Sequence, residues 1–282
     1  MNNIRLIATD LDGTFLKNDK SISPSNLETL RWLGETGIVR VAATGRNMMK
    51  VREVIPEHVP FDFVVYSSGS GVYDFRENRH IETTSIPAVT ANLLIRFFLS
   101  EDLNFHAFYP APDNHLHWVH RGSKFCEEFE RYHQRHFMYA EPLPAEGIIP
   151  SGLSQFLLVF PGDEQTFFRM KERIEAITDD IRIIRATSPL ETGYIWMEIF
   201  HRSVSKGNGV LFLCNRLGID PDGTMGIGND YNDIDLLEFT AHSFLTDNAP
   251  QELKQHFTIL PANEADAFAH IIDKMKTEWT EI

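Results

Sequence analysis

The stretch Ile4-Arg5-Leu6-Ile7-Ala8-Thr9-Asp10-Leu11-Asp12-Gly13-Thr14 passes from an apolar run to an acidic turn within a few residues. Ile4 to Thr9 has the length and composition of a short buried strand. Asp10, Asp12 and Gly13 are residues of turns, so the strand is expected to end there. A helix signal follows. Ser23 suits an N-cap and Pro24 the first helical position, Ile22 and Leu27 suit a hydrophobic staple, and Gly37 suits a stop. Leu27, Leu30 and Leu33 supply the apolar face between them.

The same rhythm continues outward. Ile38 to Ala43 reads as a second strand ending in Thr44-Gly45-Arg46, and Met48, Val51 and Ile55 mark another helix. Phe63 to Tyr66 reads as a third strand before the glycine-rich Ser67-Ser68-Gly69-Ser70-Gly71. Strands alternating with helices predict an α/β fold with a Rossmann-like parallel sheet. From about Ser85 to Ile199 aromatics and histidines become frequent and the alternation weakens. Gln155 to Phe160 and Tyr194 to Ile199 read as strands, and Phe167, Met170, Ile174 and Ile177 as one helix face, which predicts an inserted α+β domain. The alternation then returns: a helix near Ser205-Lys206, a strand over Met225 to Gly228, a helix over Asp233 to Phe239, short strands at Phe244-Leu245 and Thr258 to Leu260, and a last helix from about Glu264. The predicted organisation is core 1–84, inserted domain 85–200 and core 201–282.

Composition bounds the function. The chain has 282 residues, 43% hydrophobic and 23% charged, an ordinary globular balance with enough apolar mass for about two domains. Its formal net charge of -14 argues against nucleic acid as a partner, because phosphate backbones are repelled. The apolar stretch near the N-terminus is too short for a signal-peptide core. The longest uncharged run, Gly147 to Gly162, holds Pro150 and Pro161 and does not read as a membrane span. Two cysteines far apart, Cys126 and Cys214, suggest neither a disulfide framework nor a zinc knuckle, so a reducing cytoplasmic location is the expectation.

Four polar clusters fall at predicted strand ends or just before a helix: Asp10 to Thr14, Thr44-Gly45-Arg46, Ser205-Lys206-Gly207, and Gly228-Asn229-Asp230-Tyr231-Asn232-Asp233. Open parallel sheets build sites at the C-terminal ends of their strands. Each cluster alone also fits an ordinary turn, a solvated lysine or a helix cap. Together, in this order, they fit one site. Asp10, Asp230 and Asp233 cannot converge without a cation, and hard oxygen donors without sulfur suit Mg²⁺. Such an ion would let a phosphate dianion approach a carboxylate nucleophile, which could take the phosphoryl group as an aspartyl phosphate. Thr44 and the backbone N–H groups near Gly45 could hold the transferring oxygens, and Lys206 adds positive charge for the transition state.

At these residues the sequence resembles the haloacid dehalogenase-like hydrolase superfamily, most closely the Cof-type phosphatases with a large type IIB cap. Asp10-Leu11-Asp12-Gly13-Thr14 matches the first motif of that family, Thr44-Gly45-Arg46 the second, Lys206 the third and Gly228 to Asp233 the fourth. The resemblance implies Asp10 as nucleophile and metal ligand. It implies Asp12 as general acid and then base, with its carbonyl on the metal. Thr44, Gly45, Lys206 and Asn232 would hold the phosphoryl group. The family usually has Gly-Asp where this sequence has Gly228-Asn229, so either Asn229 or Asp230 could be the ligand, with Asp233 behind it ordering waters or Lys206. The metal set is then Asp10, Asp12, Asn229, Asp230 and Asp233. The interval from Asp10 to Thr44 has no room for a cap. That from Thr44 to Lys206 leaves more than a hundred residues beyond the roughly 40 a helix–strand remainder needs. That is room for a lid that closes on substrate.

The implied activity is a Mg²⁺-dependent phosphatase of small phosphate monoesters, sugar phosphates for preference. A phosphomutase of the same superfamily and a non-catalytic phospholigand-binding protein are the alternatives. Phosphate release separates the mutase from the phosphatase. Six of the twelve histidines lie between His106 and His136. His115 and His117 are expected on one strand face and His133 and His136 on one helix face. A zinc site is one reading of them, and surface or substrate-facing positions are the other. Phe105, Phe108, Tyr109 and Trp118 are expected in the core of the inserted domain, and Arg121 and Lys124 as solvated or as partners of an anionic substrate group. Nothing in the pattern fixes the oligomeric state.

Overall fold

A computed structural model of the chain describes residues 4–186 and 193–280. In chain order, β1 (Leu6–Thr9), α1 (Pro24–Glu35), β2 (Val39–Ala43), α2 (Met48–Val54), β3 (Phe63–Tyr66), β4 (Gly71–Asp74) and β5 (Arg79–Thr83) come first. Then follow α3 (Ala88–Ser100), β6 (Phe105–Phe108), β7 (His117–His120), α4 (Glu127–His136), β8 (Ala140–Pro142), β9 (Gln155–Pro161), α5 (Glu164–Glu175), β10 (Ile181–Ala186) and β11 (Tyr194–His201). The chain ends with α6 (Lys206–Leu217), β12 (Thr224–Gly228), α7 (Ile234–Phe239), β13 (His242–Thr246), β14 (Thr258–Leu260) and α8 (Ala267–Thr280).

The contacts divide the chain into two units, residues 1–82 with 205–282 and residues 83–204. The first holds an eight-stranded sheet in the order β14-β13-β12-β1-β2-β3-β4-β5. Every pairing from β14 to β3 is parallel. All four residues of β1 are buried, as expected of a strand covered on both faces. Leu6 and Ala8 join Val41, Ala43, Phe63 and Val65 under Val210 and Leu213 of α6. The helix signals act locally. The Ser23 hydroxyl accepts a hydrogen bond from the Asn26 N–H at 3.1 Å, and Gly37 takes the left-handed conformation (φ 77°) after α1. Two features depart from the sequence pattern. The glycine-rich stretch continues into β4, antiparallel to β3, so the sheet carries a non-parallel edge. And α8 begins at Ala267, not near Glu264, because Asn263–Ala265 forms a short turn and Asp266 adopts φ 57°.

Residues 83–204 hold a six-stranded sheet, β10-β11-β9-β6-β7-β8, antiparallel except for β7 with β8. Period-2 alternation splits its residues between two cores. Phe105, Ala107, Phe156 and Leu158 pack with Leu94 and Phe98 of α3 and with Phe167 and Ile174 of α5. Phe108, Val119, Leu157 and Val159 pack with Phe129 of α4. Phe105, Phe108 and Trp118 are buried, and Tyr109 packs against the first of these cores. Arg121 is paired with Glu130 at 2.7 Å. His115 lies in the turn before β7 and so does not share a strand face with His117. Where the sequence suggests a return to the core at 201, the inserted unit runs to Val204. β11 continues to His201, the Arg202 N–H donates to the Asp180 carbonyl at 2.8 Å, and Arg182 reaches the Val204 carbonyl at 3.3 Å. No helix among the described residues is long and apolar enough to cross a membrane.

Candidate active site

β1 lies between β2 and β12, with Thr9 level with Ala42 on one side and Ile227 on the other. Their C-terminal ends therefore release Asp10, Thr44 and Asn229 side by side where the strand order changes direction, the usual place for a site in such a sheet. The Asp10 N–H donates to the Ile227 carbonyl at 2.9 Å, which ties the acidic turn to β12. Gly13 is required in that turn. It has φ 77°, and a Cβ there would lie 2.5 Å from the Asn229 amide.

Lys206 is the first residue of α6, whose N-cap Ser205 accepts from the Asn208 N–H at 3.0 Å. Its side chain is fully buried, and Nζ donates to Asp10 Oδ1 at 2.7 Å and to Asp233 Oδ1 at 2.5 Å. Burial pushes the Asp10 carboxyl up. Lys206 opposes that and Asp233 adds to it, which leaves Asp10 at about 7. Burial alone would lower the Lys206 ammonium, but the attraction of Asp10 and Asp233 outweighs it and holds the lysine charged. Asp233 also accepts, through Oδ2, the backbone N–H groups of Asn229 and Asp230 at 2.8 and 3.0 Å. Gly228 makes this close return possible, since a Cβ there would meet the Asp233 Cβ at 2.5 Å.

One terminal atom of the Asn229 amide lies 2.9 Å from the Asp12 carbonyl, 3.2 Å from Asp10 Oδ2 and 3.2 Å from Thr14 Oγ1. An amide presents nitrogen or oxygen at one point by a half-turn about its last torsion. Nitrogen inward, Asn229 donates to all three. Oxygen inward, it accepts from Thr14 and completes a group of three oxygens with Asp10 and the Asp12 carbonyl. Three convergent oxygens, one of them charged, fit a hard divalent cation. Asp10, Asp12 and Asn229 therefore meet the requirement of a metal site. Asp230 turns away, its carboxylate accepting the Tyr231 N–H at 2.8 Å as the cap of the next turn. The oxygens of Asp233 are engaged by Lys206 and the backbone.

Asp12 projects toward solvent. Arg46 holds both its oxygens, at 2.5 and 2.7 Å, and Lys20 adds a contact at 2.7 Å. Partial burial would raise this carboxyl, but the hydrogen bonds from Arg46 and Lys20 outweigh it and keep Asp12 below the usual carboxylate range. Thr44 is buried, and its Oγ1 accepts the Arg46 N–H at 3.2 Å. A Cβ added at Gly45 would sit 3.6 Å from Ser68 Oγ and 3.7 Å from Asn232 Nδ2, so Gly45 and Asn232 share one side of the site.

Several contributors are not evident from the motifs. Arg46 stands in the quoted Thr-Gly-Arg, yet its grip on Asp12 depends on the fold. Lys20 lies in a turn at φ 70° with no pattern around it. Thr246 and Asn248 donate to the Gly13 carbonyl at 3.2 and 2.8 Å and pin the acidic turn. Thr246 ends β13 and Asn248 comes just after it, as Thr44 comes just after β2, and that place at a strand's C-terminal end is the signal that points to them. Ser67 and Ser68 occupy left-handed conformations after β3 (φ 48° and 55°), a strained geometry that concentrates at functional sites. A cavity of about 780 Å³ lined by Arg40, Arg52, Tyr73 and Arg76, among others, shares no residue with this cluster.

A family model described as haloacid dehalogenase-like hydrolase matches residues 7–272. The 5-amino-6-(5-phospho-D-ribitylamino)uracil phosphatase YwtE of Bacillus subtilis is 23% identical, over 96% of this chain and 98% of its own. The HMP-PP phosphatase of Serratia proteamaculans is 24% identical, over 95% of this chain and 94% of its own. Among solved structures, the HAD subclass IIB sugar phosphatase BT4131 superposes with a TM-score of 0.74 at 14% identity, over 96% of this chain and 99% of its own.

Proposed function

The chain belongs to the haloacid dehalogenase-like hydrolase family, and from that premise we propose that it is a phosphatase that hydrolyses small phosphate monoesters through an aspartyl phosphate on Asp10. The observation that carries this reading is the buried Asp10 carboxylate, with Lys206 on one oxygen and Asn229 and the Asp12 carbonyl beside the other. A carboxylate so placed is a nucleophile held in one orientation.

Asp10 attacks phosphorus and the ester oxygen leaves with a proton from Asp12. Arg46 and Lys20 hold Asp12 ionised in the present arrangement, the form that takes a proton from water in the second step. A substrate phosphate that draws these two cations to itself lets Asp12 carry the proton needed in the first step. Lys206, fixed by Asp233, faces the developing charge, while Thr44, the backbone at Gly45 and Asn232 orient the phosphoryl oxygens. Asp10 Oδ2, the Asp12 carbonyl and Asn229 would hold Mg²⁺, which supplies the charge that lets a phosphate dianion approach Asp10.

Sugar phosphates and their open-chain relatives are the proposed substrate class, in keeping with the phosphoribityl compound named for the Bacillus relative. Residues 83–204 are proposed as the cap that selects among them. Cys126 and Cys214 are both free and buried, which supports a reducing cytoplasmic location.

The test is Asp10→Asn. Phosphate release from a panel of sugar phosphates should fall by roughly three orders of magnitude or more, while circular dichroism shows the fold retained. Turnover preserved in that variant would remove Asp10 as the nucleophile.

A further inference from the structure

In the inserted unit, β6 and β7 pair so that Phe108 faces His117 and Val119 faces His106. His106 and His117 therefore project from the same face of the sheet, the one covered by α4. α4 adds His133, whose ring lies 6.0 Å from His106 and nearly parallel to it, while the His106 and His117 rings are 4.8 Å apart. One nitrogen from each of the three lies within 4.8 Å of the other two.

The surroundings make these rings unusual. His106 and His117 are 0% and 1% exposed. Among the described residues, neither ring nitrogen of His106 has a hydrogen-bond partner, nor does Nδ1 of His133, and the His117 ring meets only the backbone of His115. Four imidazole nitrogens are thus orphaned in one cluster, where buried polar atoms are nearly always satisfied. Burial, with each neighbouring ring adding to it, holds His106 well below the ordinary histidine range. Burial takes His117 to about 4, the backbone of His115 opposing slightly. Burial also lowers His133, helped by Arg121. All three are neutral at pH 7, with lone pairs available.

Packing explains the apolar sides of the rings, since His106 stacks on Phe129 at 4.5 Å and His117 lies 5.0 Å from Phe108. It does not explain the nitrogens turned toward one another. The other histidines of the region are otherwise engaged. His136 Nδ1 contacts the Tyr132 carbonyl at 2.9 Å, His120 packs on Phe105, and His115 packs on Tyr139.

We propose that His106, His117 and His133 form a three-imidazole binding site for a divalent ion of the zinc class. Neutral imidazoles suit zinc, whereas magnesium takes oxygen, so this site and the acidic one differ in chemistry. Three protein nitrogens leave a four-coordinate ion one position for water. Ligand nitrogens on zinc sit about 3.3 Å apart at bond lengths of about 2.0–2.1 Å, so the rings close inward on binding by small side-chain rotations. The site links α4 to β6 and β7, and the ion fastens that face of the inserted unit. It does not rest on the phosphatase reading.

The experiment uses the full chain, stripped with EDTA, dialysed, and held in excess Mg²⁺ to fill the oxygen site. Cobalt(II) should produce the intense visible bands of a four-coordinate nitrogen site. Zinc should displace it at one equivalent and raise the melting temperature. His133 is partly exposed on a helix, so His133→Ala should fold normally, lose the bands and weaken zinc binding roughly tenfold or more. His106→Phe, which keeps a ring in place, should do the same, and Asp10→Asn should leave the bands intact. Absence of the bands in the wild-type chain overturns the proposal without any variant. Equal zinc binding by the wild type and both histidine variants overturns it too, as do bands lost in Asp10→Asn and kept in His133→Ala.

Discussion

Exchanging Asn229 for Asp places a second carboxylate 2.9 Å from the Asp12 carbonyl and 3.2 Å from Asp10 Oδ2. Without a cation those oxygens repel, so Asn229→Asp should melt at a lower temperature than the wild type in EDTA. With a cation the added charge is attractive, so the Mg²⁺ concentration giving half-maximal phosphate release should fall by about tenfold, the equivalent of roughly 1.4 kcal/mol. Opposite signs with and without metal are the signature. A change of the same sign in both conditions would mean that Asn229 does not face the ion. Of the two candidates left open by Asn229-Asp230 in the sequence, the fold places Asn229 beside Asp10 and gives Asp230 to the next turn. Spacing alone could not separate them, because which of two adjacent residues points inward depends on how the chain leaves β12.

The elements that carry the site were legible to differing degrees, for physical reasons. β3 begins and ends where its apolar run does, since a strand buried on both faces writes a continuous hydrophobic segment. β4 and β5 were not legible. β5 is largely exposed, so it lacks the pattern that burial imposes. α3 was missed as well, although Pro87 stands at its start. The close seating of α6 was also hidden, because it rests on what glycines lack. A Cβ at Gly207 would meet the Asp235 carbonyl at 2.4 Å, and one at Gly209 would meet the Val65 side chain at 2.4 Å. Gly207→Ala should push α6 from α7 and displace Lys206 beside it. We expect a stability loss of about 1–3 kcal/mol in urea unfolding, with a fall in kcat larger than any change in KM. An unchanged kcat would show that Lys206 keeps its place despite the added methyl.

Over the whole molecule, stability should depend on pH through the inserted unit. His106 and His117 are neutral when folded, while an unfolded histidine titrates near 6.5. Their folded values are depressed, so their contribution is complete above about 6.5 and is lost as pH falls toward about 4, the folded value of His117. For His117 alone, about 2 kcal/mol should be gone by pH 5 in the metal-free protein. The urea midpoint reported by Trp118 and Trp196, both in this unit, should fall between pH 7 and pH 5. The fall should be smaller in His117→Phe, and equal slopes would refute the buried neutral state.

β1 lies at the middle of the larger sheet, yet one of its two neighbours is made long after the other. Asp10 and Lys206 are 196 positions apart, and β12 comes later still. During synthesis β1 can pair with β2 early, while its other edge, the apolar Leu6–Thr9, waits for β12. A bare apolar edge invites pairing with other chains. The growing polypeptide therefore carries an adhesive strand while the more than 196 positions between β1 and β12 are made, and that is the interval in which a chaperone would matter most to it.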